Sequence, residues 1–280
     1  MDLGRPRDPI SWPGGARICL SVAVAFEAFE NACTYRHGPG GPVIKPDYFS
    51  LSYAEYGLKT GVWRLLGLLE AEKIKASFSM SGRAAELYPT TARAVSDAGH
   101  EITAHGYVQD VRVEDHLDSQ TEEIRRTVDA IHQATGQRPV GWSSPGSMGD
   151  HNTLIAQHAV GGMTWNGDDA SDDVPFIREV DGQRYAILPR NNFCANDLIL
   201  WSKPTNPPSV IFESFKDTFD QLYQEGYDGS PKWIDIVMHC HMAGRATLTS
   251  TMKKVFAYAR QHEGVWYAQR REIADWFLKA

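Results

Sequence analysis

Between Arg17 and Glu30 the chain reads RICLSVAVAFEAFE, and this stretch limits the available folds more than any other. From Ile18 to Phe26 only Ser21 is polar, so both faces of a strand here must be covered. That happens in the parallel sheet of an α/β protein, not in a half-wetted antiparallel one. Parallel α/β folds set their working groups just past the carboxyl ends of the strands, where Glu27 and Glu30 stand. A single carboxylate there has an ordinary alternative: it can simply mark the point where a buried strand surfaces. Other strand ends must decide.

Helical spacing of Leu58, Val62, Leu65, Leu66 and Leu69 over residues 56–73 leads to a short strand at 76–80. A helix over 84–98, stopped by Gly99, leads to a strand at 100–104 that ends on His105. A helix over 117–135, closed by Gly136, precedes a strand at 139–142, and a helix over 152–160 precedes a strand at 163–165. That strand opens on the acid-rich run NGDDASDDVPF, which contains Asp169. Two strands at 176–180 and 185–188 about Asp181-Gly182 read as a hairpin, expected to roof a pocket. Helices over 209–226, 248–262 and 271–278 alternate with strands at 233–238, which delivers His239, and 265–268. The Gly/Pro-rich residues 31–52 are long enough for a lid or an oligomer contact. Residues 1–16 read as a surface segment, and the unbroken alternation over 17–280 as one (β/α) barrel, closed or nearly so.

Composition narrows the partners. The 280 residues carry a net charge of −7 with no cluster of Lys or Arg, so nucleic acid and anionic membrane are excluded and a small-molecule substrate is expected. No apolar run approaches the roughly twenty residues that span a bilayer, and residues 1–15 lack the apolar core of a signal peptide; a cytoplasmic protein is expected. Cys19, Cys33, Cys194 and Cys240 are scattered without a CxxC pair, which points away from a disulfide framework or a thiolate zinc site.

Glu27, His105, the Asp168 to Asp173 run and His239 with His241 come from separate strands that a barrel gathers on one rim. Glu27, His105 and His239 are the candidates for acid and base work. Tyr107, Trp142 and Trp165 are candidate walls against a flat ring, each with ordinary core packing as its alternative. Gln109, Ser143 and Asn196 are candidate amide partners, and Asp169 and His241 candidate substrate contacts.

The order of first-strand carboxylate, GHEITAHGYVQ, RPVGWSSPG, WNGDDASDDVPF and VMHCHMAGR resembles the polysaccharide deacetylase superfamily, and most of all its bacterial allantoinase and cyclic-imidase branch. The resemblance covers nearly the whole chain. It implies a distorted (β/α) barrel of about seven parallel strands and hydrolysis of a carbon–nitrogen bond. Metal-dependent members hold zinc through a first-strand carboxylate and an HxxxH pair, positions that here are Glu27, His105 and Gln109. A carboxamide is a poor zinc ligand, so the expectation is no tightly bound metal, at most a weakly held zinc. The family's usual catalytic Asp falls at Ala25, and its fourth-strand Arg at Ser143. The allantoinase branch also implies a homo-oligomer, tetramer or dimer. The leading expectation is hydrolysis of a small cyclic amide, imide or ureide; the alternatives are a zinc-dependent deacetylase of an N-acyl sugar and a noncatalytic ligand-binding member.

Overall fold

The computed structural model describes residues 10–33, 46–110, 116–190, 193–201 and 206–279. In chain order the strands are β1 (Ile18–Phe26), β2 (Ser77–Met80), β3 (Glu101–Ala104), β4 (Gly141–Trp142), β5 (Trp165–Asn166), β6 (Phe176–Val180), β7 (Gln183–Ile187), β8 (Lys232–His239) and β9 (Val265–Tyr267). The helices are α1 (Tyr48–Tyr56), α2 (Val62–Ala71), α3 (Gly82–Leu87), α4 (Pro89–Asp97), α5 (Leu117–Thr135), α6 (Thr153–Val160), α7 (Asp197–Trp201), α8 (Ser209–Tyr227), α9 (Ala246–Ala259) and α10 (Arg270–Lys279). One curled nine-stranded sheet runs β6-β7-β5-β4-β3-β2-β1-β8, with β9 added to β1. All pairings are parallel except β6 with β7. The seven co-directional strands on that path are β1 to β5, β7 and β8, as expected for the distorted (β/α) barrel. The barrel is open: among the described residues no strand joins β8 back to β6, and only a bridge from Asn196 to Val237 extends the β8 edge.

β1 is wholly buried and organises the sheet: β8 pairs along one edge, and the other edge is shared by β9 at its start and β2 at its end. Its two faces differ. Leu20, Val22, Val24 and Phe26 join Ile234, Ile236, Met238, Phe78 and Ile102 in the main core under the helices. Alternation sends Ser21, Ala23, Ala25 and then Glu27 to the barrel interior. Small side chains on that face leave space that large ones would fill.

Four expectations are corrected. Helix 84–98 is two helices, because Pro89 bars Tyr88 from the helical region and Tyr88 turns at φ −130°, ψ 56°. The hairpin extends the sheet instead of roofing a pocket: β7 runs parallel beside β5, so its turn at Asp181 (φ 49°) and Gly182 (φ 80°) lies at the opposite end from the strands' carboxyl termini. The described part of the N-terminal segment, residues 10–16, does more than coat the surface. Trp12 is buried, donates from Nε1 to the Lys232 carbonyl at 2.9 Å, and joins Trp233, Ala268 and Ile273 in a second core at the barrel's lower end. Finally, the last part of the 31–52 segment is helix α1, capped by Asp47; residues 34–45, on which the lid expectation chiefly rested, lie outside the described residues.

Candidate active site

The strand ends are locked in register beyond the strands themselves. Ser81 N–H donates to Phe26, His105 N–H to Met80, Ser143 N–H to Ala104 and Cys240 N–H to Ala25, each at 3.0 or 3.1 Å. The chain after Glu27 is held by Asp110, whose carboxylate accepts from the backbone N–H groups of Glu30, Asn31 and Ala32. Glu27, His105, His239 and His241 are thereby brought together, all buried. The turn carrying His239 and His241 packs closely on the helix that runs into α2: a Cβ on Gly61 would lie 2.0 Å from the Cys240 carbonyl oxygen, so a side chain there would displace the turn. Arg245 braces it further, donating to the His241 carbonyl while stacking over Tyr53 and Tyr56.

His105 Nδ1 lies 2.6 Å from the Ser143 carbonyl oxygen, which fixes it as the N–H nitrogen and leaves Nε2 facing Glu27 Oε1 at 3.3 Å. In a neutral ring Nε2 is an acceptor, so this approach of two acceptors is comfortable only with a proton between them. Both Glu27 oxygens otherwise lack a hydrogen-bond partner in the described structure. Burial acts to raise the Glu27 carboxyl, but the charge of His239 and the hydrogen bond and charge of His105 outweigh it and hold the group well below its ordinary value. His241, 3.8 Å from Glu27 Oε2, is driven the other way: burial pushes it down to about 4, so it is neutral near pH 7 and contributes little to holding Glu27 ionised.

Asp197, fully buried at the first position of α7, accepts from His239 Nδ1 at 2.6 Å, His239 N–H at 2.8 Å and Ala243 N–H at 2.9 Å. Burial disfavours the charged His239 ring, yet the carboxylates of Asp197 and Glu27 win and raise it above its ordinary value. Nδ1 is thus committed to Asp197, on a ring that lines the pocket.

These groups stand over a pocket of about 300 Å³. Glu27, His105, Asp169, Asn196 and His239 line it, and it continues between Ala23, Ala25, Ser79 and Val237 down to Asp235 and Arg270. Asn196 accepts from Leu198 and Ile199 N–H through Oδ1, so its Nδ2 is the group it can offer a ligand. Asp169 sits at the mouth, paired with Arg178 at 2.7 Å.

The expected walls are elsewhere. Trp142 is buried beside the pocket with its Nε1 on Ser144 Oγ, and Tyr107 donates to Glu86 with Arg126 stacked 3.4 Å over its ring. Trp165 is wholly buried, covering Gly141 so closely that a Cβ there would fall 1.8 Å from the indole. None of the three lines the pocket. Gln109 and His241 are buried next to it, and Ser143 serves through its backbone carbonyl; its hydroxyl is packed against Gly167. Asp197 is the residue that strand-end reasoning passed over as a working group, although its neighbour Asn196 is among the sequence candidates.

The donors do not fit a tightly held zinc. Glu27 and His105 supply a carboxylate and an imidazole, but the third position is Gln109, whose Nε2 is tied to the His105 carbonyl at 2.6 Å and whose buried Oε1 is a carboxamide oxygen. Among the described residues no three His, Cys, Asp or Glu side chains are grouped to hold a metal ion.

A half-barrel with its polar residues gathered at the strands' carboxyl ends is the architecture of carbohydrate-type deacetylases, and the comparisons agree. The sequence pattern of the polysaccharide deacetylase family matches residues 47–164. The crystal structure of a Puue allantoinase superposes with a TM-score of 0.85 at 30% identity, covering 98% of this chain and 97% of that one. A probable polysaccharide deacetylase from Pseudomonas aeruginosa PAO1 gives 0.86 at 27% identity over 98% of both chains. A Schizosaccharomyces pombe protein named "Putative polysaccharide deacetylase" is 26% identical over 99% of this chain and 96% of its own length. The chain belongs to the polysaccharide deacetylase family, a family of hydrolases. Among the described residues no helix is long and apolar enough to cross a membrane.

Proposed function

We propose that this protein hydrolyses the carbon–nitrogen bond of a small cyclic amide, imide or ureide, and does so without a tightly bound metal. One observation carries the reading: the pocket runs down inside the barrel, past Ala23, Ala25 and Val237, to a floor formed by the buried Asp235 and Arg270. A polymer needs an open path for the residues on either side of the reacting one; a ring of five or six atoms fits a pit of about 300 Å³. The likeness to an allantoinase supports the same choice.

In this reading Glu27, whose oxygens have no other partner, takes a proton from the attacking water as its oxygen bonds to the carbonyl carbon. Asn196 Nδ2 donates to the carbonyl oxygen as charge develops. His239, inclined to hold its proton by Asp197 and Glu27, delivers it from Nε2 to the nitrogen as the carbon–nitrogen bond breaks. His105, anchored on Ser143, holds the proton shared with Glu27 and so sets the carboxylate's charge.

The second reading, a zinc-dependent deacetylase, is favoured by the names of relatives, including the Peptidoglycan deacetylase of Helicobacter pylori at 24% identity. Gln109 weighs against it. A hydrolysis screen of hydantoins, allantoin, succinimides, dihydropyrimidines and N-acetyl sugars, run with chelator and with added zinc, separates the two. Ring opening that survives chelation is expected; cleavage of N-acetyl sugars alone, and only with zinc, would overturn the proposal.

A further inference from the structure

The floor of the pit is a buried cation with donors to spare. Arg270 is 3% exposed and sits at the first turn of α10, which enters the lower end of the barrel. That turn is pinned on several sides. Arg270 N–H donates to Ser77 Oγ at 2.8 Å, Arg271 N–H to Glu101 Oε2 at 3.0 Å, and Gln269 Nε2 to the carbonyls of Ala76 and Gly99. Glu272 returns to the Gln269 N–H at 2.7 Å, the carboxylate half of a capping box, and fixes the start of the helix. The guanidinium then rises into the interior, 5.8 Å from the Trp165 ring.

A guanidinium has five N–H donors. Here Nε and one Nη2 hydrogen serve the two oxygens of Asp235, and one Nη1 hydrogen reaches Ser79 Oγ at 3.4 Å. One hydrogen on each terminal nitrogen has no acceptor among the described residues, on a side chain that lines the pocket. Height follows from the register. Ser79 pairs with Ala25 and with Thr103, and Glu27 and His105 each lie two residues further along their strands. Two strand residues rise about 7 Å. The spare donors therefore stand about one small ring's breadth below the reactive end, and the intervening Ala23 and Ala25 keep that space clear.

Electrostatics selects the acceptor. The charge on Arg270 is already balanced by Asp235, and Glu101 lies close enough to interact with it too. A carboxylate placed here would meet these carboxylates with no unbalanced cation to offset them, whereas a neutral carbonyl oxygen needs only the N–H groups.

We propose that Arg270 is a specificity-determining residue, donating to a second, uncharged carbonyl oxygen of the substrate on the far side of the ring from the bond that is cut. The inference rests on the reading of the pit as the site of a small cyclic amide, and it selects within that class imides and ureides over simple lactams.

The test is calorimetric binding in the Glu27→Gln background, which keeps the ring intact during the measurement. Succinimide is expected to bind about tenfold more tightly than 2-pyrrolidinone, which lacks the second carbonyl. The ratio should fall towards one in Arg270→Met/Asp235→Leu, which replaces the buried ion pair by apolar groups of similar size. If that variant fails to fold, Ala23→Leu, which fills the pit without touching the pair, must erase the preference instead. A preference that survives these changes overturns the assignment. So does tighter binding of 5-oxoproline than of succinimide, since an anion would then be the favoured guest. Binding of N-acetylglucosamine but of neither ring would mean that the reading of the pit itself is wrong, and the inference falls with it.

Discussion

Two clusters of buried ionisable side chains share the interior of this half-barrel, and they are built differently. In the lower one every carboxylate oxygen has its donors. Asp235 takes Ser21 and Arg270, while Glu101 takes Ser77, Trp165 Nε1 and the Arg271 N–H. In the upper one Asp197 is as well served, with three donors, but Glu27 has only the proton facing His105, and its Oε2 is left unsatisfied. A buried polar atom without a partner costs free energy, and a fold that keeps one at the mouth of a pocket holds it for a ligand or a water. The contrast assigns chemistry to the upper cluster and alignment to the lower.

The largest effects should come from removing the titrating groups above. Glu27→Gln and His239→Asn keep most of the side-chain volume and should each lower turnover by a hundredfold or more, with the melting temperature little changed. Turnover and melting measured on the same preparations decide each residue's part; intact turnover in either variant would remove that residue from the catalytic set. Below, the pattern should reverse. Asp235→Ala strands the buried Arg270 and should cost about 3 kcal/mol of stability in denaturant unfolding. A loss below about 1 kcal/mol would mean that the lower cluster does not hold the lower end of the sheet to α10.

The sequence made the upper cluster partly legible. Glu27, His105 and His239 each follow a buried strand directly, and parallel topology alone sends such residues to one rim. Asp197 follows no strand; it opens a five-residue helix 42 positions before the histidine it holds, a pairing that only the folded chain creates. The aromatic candidates failed for a related reason. Adjacency to a strand end does not say whether an indole lies at the mouth or below it, and the bare Gly141 beneath Trp165 let that ring settle into the interior. Arg270 was hidden at a helix start, where a charged residue ordinarily meets solvent. The hairpin was read correctly as two strands about Asp181-Gly182, but its direction depends on the pairing of β7 with β5, which local turn chemistry does not specify.

A gain of function sharpens the comparison from the metal side. If Glu27 and His105 face one point, Gln109→His completes a carboxylate and two imidazoles there, and zinc affinity should rise by about tenfold or more. Equilibrium dialysis against zinc measures it. Unchanged affinity would show that residue 109 does not reach the Glu27–His105 point.

The smallest effect sets two histidines against each other. His239, above, is raised, so its protonated form is favoured in the folded chain. The stability it contributes is fully present below its ordinary value of about 6.5 and is lost as pH rises through the higher folded value. His100, just before β3, is the opposite case. Burial, and then the nearby Lys75 charge, push it down to about 4, and its Nδ1 accepts the Ala76 N–H at 3.0 Å, a bond that protonation at that nitrogen would break. Between pH 6.5 and 4 the unfolded chain holds a proton at this site that the folded chain refuses, so stability must fall as pH falls. By pH 5 the loss should be about 2 kcal/mol. His100→Asn, whose Oδ1 can accept the same N–H, should flatten the acid limb of melting temperature against pH while leaving the alkaline decline of activity, which belongs to His239, where it was. An acid limb equally steep in the variant would mean that other groups carry it.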